Sequence, residues 1–209
     1  MADTDIRRAT AAERRELAEL LAGLPGDAWD APTLCAGWRV REVVAHMTMP
    51  FRLRPARFAG YLIAARGNFD RMADRRARAD AAALSPRELT AALRDNAEHP
   101  WKPPGGRPEA ALAHDVTHGL DITVALGLDR RVPEDRMRLV LAGADNPRAV
   151  RYFGVDLTGV QLSATDLDWT YGTGTAVRGT AQDLLLVLSG RALPPGRLDG
   201  APGARFTAV

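Results

Sequence analysis

The strongest constraint on the fold is a change of period near residue 150. Before it, apolar residues recur at helical intervals; after it, Thr, Val, Trp and Gly fall in short alternating runs. Leu17, Leu20 and Leu21 mark a first helix in "RRATAAERRELAELLAGLP", stopped by Gly23 and Pro25. After the loop "GDAWDAPTLCAGW", a second helix starts near Trp38 with Val40, Val43, Val44 and Met47 on one stripe. Pro50 ends or kinks it. "FRLRPARFAGYLIAARGNFDRMADRRARAD" reads as further helix, with an apolar patch at Tyr61, Leu62 and Ile63. In "SPRELTAALRDNAEHP", Ser85 is the N-cap, Pro86 the first helical residue, and Glu88 completes a capping box. Pro108 to Gly127 and "PEDRMRLVLAGA" give two more helices. "GVDLTGVQLSATDLDWTYGTGTAVRG" predicts two or three antiparallel strands. "TAQDLLLVLSG" predicts a short helix capped by Thr180 and stopped by Gly190, and "ARFTAV" one last strand. The expected class is α+β, mainly α: a helical bundle over residues 1–150 and a small α+β domain with a short antiparallel sheet over 151–209.

Composition narrows the function classes. The chain has 209 residues, 46% hydrophobic and 26% charged, as expected of a globular protein. No apolar run approaches the roughly 18–20 residues that cross a bilayer, and "MADTDIRRAT" has no apolar segment of a secretion signal. A single cysteine, Cys35, excludes an internal disulfide and fits a reducing cytoplasm, the expected location. The net charge is only +2. Lys102 is the only lysine, and the arginines alternate with carboxylates, as in "AERRELAE", the pattern of a solvated helix face. Neither a nucleic-acid partner nor a membrane is expected.

Chemistry concentrates in "AHDVTHGLD". His114 and His118 are four residues apart, so on a helix their rings stack about 6 Å apart and can converge on one ion. Asp121, three residues beyond His118, lies on the same stripe and can orient a ligand histidine or join it. Leu112, Val116, Leu120 and Val124 form the opposite, aliphatic face. The histidines therefore face solvent, or the helix is covered on both sides. His46 lies at the edge of the second helix's apolar stripe, where a side chain can point between packed helices. Three histidines would leave coordination positions open, the layout of a catalytic site. Zinc suits them first, nickel or iron as alternatives. Glu42, one turn before His46, is expected exposed, and His99, before a proline at a helix end, structural. Cys35 and Trp38 read as packing residues.

Three segments together resemble a known family: "APTLCAGWRVREVVAH", "HDVTHGLDITVALGL" and "LSATDLDWTYGTGTAVRGTAQDLLLVLSGR". They are similar, in order, to the actinobacterial proteins grouped with mycothiol-dependent maleylpyruvate isomerase, relatives of the DinB/YfiT-like metal-binding four-helix bundles. The resemblance implies a metal held by His46, His114 and His118, with Asp121 behind the last ligand. In the isomerases proper the first member of the later pair is typically glutamate; here it is His114, a neutral donor that leaves an ion more electrophilic. The implied activity is that of a divalent-metal-dependent, thiol-dependent transferase or isomerase. Mycothiol would be co-substrate, its thiolate attacking a small electrophile. Arg191, at the end of "LSGR", matches an arginine implicated in catalysis in that family, and otherwise reads as a charge at a helix C-terminus.

Two other readings stay open. His46, "HD" at 114–115 and a later aspartate loosely evoke HD-type phosphohydrolases, so a metal-dependent hydrolase is one alternative. A non-catalytic small-ligand-binding or resistance protein with a structural metal is the other. The expected partners are a small-molecule substrate and a low-molecular-weight thiol, the chain being a monomer or homodimer.

Overall fold

A computed structural model describes residues 3–144 and 151–208. The domain boundary expected near residue 150 lies outside the described residues. Two compact units divide the chain, Met1–Ile122 and Thr123–Val209.

In the first unit the helical periods become α1 (Asp3–Ala22), α2 (Val40–Arg52), α3 (Pro55–Ala64), α4 (Phe69–Ala83), α5 (Pro86–Asp95) and α6 (Ala110–Ala125), the last running past the division. A 3-10 turn at Gly26–Asp30 buries Trp29. Helix α2 packs on α4 and α5, and α1 on α5. The apolar stripe of α2 accounts for this: Val40, Val43, Val44 and Met47 are fully buried. The helix continues through Pro50 to Arg52, two residues beyond the expected stop. The long helical reading after it is broken in two, and α3 buries none of its residues; Ile63 is 77% exposed. The α5 start forms as expected, with Ser85 Oγ accepting from Glu88 N and Glu88 accepting from Ser85 N.

Two local expectations are corrected. The stretch "AERRELAE" is not a solvated face throughout, because Glu13 and Arg14 are both completely buried. Arg14 has long-range partners, Asp115 and the carbonyls of Ala97 and His99, that spacing along one helix does not reveal. Glu42 is buried as well. It accepts from the Arg39 backbone N–H at 2.9 Å and from the Arg39 guanidinium at 2.6 and 3.1 Å, capping α2.

The second unit holds α7 (Glu134–Ala144), β1 (Val160–Ala164), β2 (Thr170–Gly172), β3 (Thr175–Gly179) and α8 (Ala181–Leu188). The sheet order is β2-β1-β3, and α8 packs on β1, β3 and α7. Thr180 caps α8, accepting from Asp183 N. Strands β1 and β2 are antiparallel, but β3 runs parallel to β1, where antiparallel strands were expected. Strand β2 returns the chain to the start of β1, so it serves as the connection that a parallel pair needs. The crossing passes tightly: Gly174 has φ +133, and a Cβ there would stand 2.1 Å from the Gly159 carbonyl oxygen. The expected last strand is also corrected. Ala201–Phe206 forms a 3-10 turn, and isolated bridges, Arg178 to Asp199 and Leu193 to Thr207, join the tail in place of a strand among the described residues. Among the described residues, no helix is long and apolar enough to cross a membrane.

Candidate metal centre

Helix α6 is covered on both sides. Leu112, Val116 and Leu120 are fully buried on one face. On the other, the His114 and His118 side chains are only 13% and 12% exposed, and Asp121 is fully buried. From α2, His46 meets them at 8% exposure. One ligand nitrogen from each of the three rings lies within 4.8 Å of the others. The nearest pair, His46 Nε2 and His114 Nε2, is 3.2 Å apart.

Hydrogen bonding sets what these rings can offer. His114 Nδ1 stands 2.9 Å from Asp115 Oδ1, and His118 Nδ1 stands 3.0 Å from Asp121 Oδ2. An ionised carboxylate only accepts, so a ring bonded to one offers it a protonated Nδ1, and a neutral ring so held would present its lone pair on Nε2. Burial alone would raise the Asp115 carboxyl, but the bond from His114 and the Arg14 guanidinium hold it below the ordinary carboxylate range. Arg14 Nε donates to Asp115 Oδ2 at 2.6 Å, both side chains being buried.

The approach to α2 explains the "PTLCAGW" spacing. Trp38 N donates to Cys35 O at 3.0 Å, closing a four-residue turn. Gly37, its third residue, has φ +77, a conformation that favours glycine. Thr33 ties the turn through its hydroxyl to Trp38 O, and Leu34 N donates to Asp121 O, joining the loop to α6. Trp38 Nε1 donates to Asp74 on α4, and its ring lies 5.1 Å from that of His46. Trp101 stands 5.2 Å from the His114 ring. The half-buried Cys35 is brought to the same place: its Sγ forms a second possible ligand group with His118 and Asp121, within 4.8 Å.

The donor set fits a divalent ion. Two nitrogens each about 2.0–2.1 Å from one tetrahedral ion stand about 3.3 Å apart, and the His46–His114 pair shows 3.2 Å. Two Nε2 atoms that close need either one N–H between them or one cation. Carboxylates on the far ring nitrogens are the usual companions of metal-bound histidines. Zinc, nickel and iron all accept such nitrogens.

Of the residues expected from the sequence, His46, His114, His118 and Asp121 are thus brought together. Arg191 belongs to the second unit, just after α8, where its Nη1 donates to Ser189 O at 2.9 Å. His99 takes a structural place: its Nδ1 accepts from Trp101 N at 3.2 Å, and its ring lies 5.1 Å from Phe51. Burial and the Arg14 charge lower its pKa. Spacing and composition do not mark Arg14, Asp115, Trp101 or Cys35 as site residues. Only the "HD" pair hinted at Asp115.

Known proteins bear on this arrangement. Residues 10–100 match the family described as the mycothiol maleylpyruvate isomerase N-terminal domain. Two uncharacterized Mycobacterium tuberculosis proteins, one from each of two strains, are each 29% identical over 214 aligned positions. The alignment spans 86% of this chain and 82% of theirs. Crystal structures of the mycothiol-dependent maleylpyruvate isomerase and of its histidine-to-alanine variant have TM-scores of 0.60 and 0.61 to this chain. Their identities are 13% and 14%, covering 97% of this chain and 94% of theirs. The chain has the fold of that isomerase, and its residues 10–100 are similar to the family of that isomerase's N-terminal domain.

Proposed function

We propose that the protein is a divalent-metal-dependent enzyme that uses a small thiol, mycothiol, to transfer to or isomerise a small electrophile. The observation that carries this reading is the convergence of three imidazoles, two of them backed by buried carboxylates. The family of residues 10–100 and the fold of the isomerase structures support the choice of thiol. His46, His114 and His118 would hold the ion through neutral nitrogens, zinc before nickel or iron. When bound, the ion would lower the pKa of a coordinated thiol so that thiolate exists near neutral pH. Asp121, 3.0 Å from His118 Nδ1, would keep the hydrogen of that ring on Nδ1. The indoles of Trp38 and Trp101 stand against two of the ligand rings. Arg191 would hold an anionic group of the substrate.

Cobalt-substituted protein tests the thiol step. Adding mycothiol should produce a sulfur-to-cobalt charge-transfer band near neutral pH. Because the Cys35 thiol lies within 4.8 Å of His118 and Asp121 ligand atoms, the same titration belongs on Cys35→Ser, where the band must also appear. Arg191→Ala should reduce turnover while leaving cobalt binding intact. Cobalt protein with no spectral response to mycothiol or cysteine would contradict the thiol reading and leave a metal-dependent hydrolase as the better one.

A further inference from the structure

We infer that Arg14 and Asp115 form a positioning pair that fixes His114 in the tautomer able to bind a cation. The purpose of the pair rests on the metal reading above; its geometry does not.

Adjacent residues on a helix point in different directions and do not normally meet. His114 and Asp115 nevertheless meet at 2.9 Å. The reason lies 101 residues away on α1, where Arg14 takes the other carboxylate oxygen at 2.6 Å. Arg14 is itself pinned. Its Nη1 donates to the carbonyls of Ala97 at 3.2 Å and His99 at 2.8 Å, just beyond α5, and its guanidinium lies 4.9 Å from the Phe51 ring centre. The two carboxylate oxygens therefore have separate tasks. Oδ2 is committed to a buried cation that cannot lose its charge, and Oδ1 is left as an acceptor aimed at His114 Nδ1.

The consequence falls on the facing pair. With hydrogen fixed on His114 Nδ1, the His114 Nε2 lone pair points at His46 Nε2, 3.2 Å away. In metal-free protein the hydrogen between them must then belong to His46. Only one of the two rings has to move a hydrogen when an ion enters. Arg14 thus reaches the site through two other residues, without touching the ion.

A purely structural pair, tying α1 to α6 and the end of α5, would leave the His114 tautomer unaffected by its removal. Replacing both charges together avoids an uncompensated buried ion, and such exchanges for apolar residues are often tolerated. Three full-length proteins separate the two roles: wild type, Arg14→Met/Asp115→Leu, and Arg14→Met/Asp115→Asn, whose amide oxygen can still accept from Nδ1. Nitrogen NMR of the metal-free histidines should show His114 protonated on Nδ1 in wild type and in the Asn double variant. It should be protonated mainly on Nε2 in the Leu double variant. Zinc affinity, by competition with a chromophoric chelator, should fall roughly 10- to 100-fold in the Leu variant and less in the Asn variant. A wild-type His114 protonated on Nε2 would overturn the inference, even if neither variant folds. So would a folded Leu variant with wild-type tautomer and affinity. If wild type binds no zinc, the metal reading fails, and the tautomers alone still decide the role of the pair.

Discussion

Asp121 shows how much one side chain is asked to do. It is fully buried and accepts from His118 Nδ1 at 3.0 Å, and its backbone carbonyl receives Leu34 N. The side chain acts on the ligand and the backbone on the fold, so a change confined to the carboxylate separates them. Asp121→Asn keeps shape and one acceptor oxygen but loses the charge. It should lower zinc affinity roughly 10- to 100-fold while the thermal midpoint stays near wild type. A loss as large as that of His118→Ala would make Asp121 a direct ligand; unchanged affinity would remove it from the site. Cys35 belongs at the same scale. A lone cysteine before a Gly-Trp turn reads as packing, since nothing local indicates its neighbours. Only the closure of that turn and the Leu34–Asp121 bond bring its Sγ to His118.

At the scale of elements, the N-terminus of α2 carries a separable prediction. Burial alone would raise the Glu42 carboxyl. The hydrogen bonds and charge of Arg39 outweigh it and hold the group below its ordinary 4.5. A carboxyl depressed in the folded state stabilises fully above its unfolded value and loses that contribution as pH falls through the folded value. Glu42→Gln should therefore cost about 1–2 kcal/mol at neutral pH, and the difference from wild type should shrink below about pH 4. Urea unfolding of both proteins at the two pH values checks this; an equal gap at both would contradict it. The same element shows what a sequence can disclose. Val40, Val43, Val44 and Met47 declare the buried stripe by period, and His46 at its edge could be placed between helices. The stripe of His114, His118 and Asp121 was equally legible, because one helix orders all three. Arg14 and Asp115 were not legible as partners: they lie 101 residues apart, and Arg14 sits in a charge pattern that looks solvated. The parallel β3 was hidden for another reason. Alternation reports a strand's faces, whereas its direction depends on the crossing at Gly174.

For the whole molecule, the first unit gathers α1, α2, α6 and the end of α5 around one polar cluster inside an apolar bundle. Burying so many charges and imidazoles is costly unless they are paired, and the pairing converges on three nitrogens. Ligand and carboxylate pairs of this kind are expected to couple ion binding to stability. The most direct measurement is elemental analysis of the purified chain, prepared without chelators or metal-affinity steps. Wild type and His99→Ala should each carry about one divalent ion per chain. His46→Ala should lose most of it, and His114→Ala/His118→Ala should carry none. A double variant that retains the full wild-type ion would contradict the assignment of the centre.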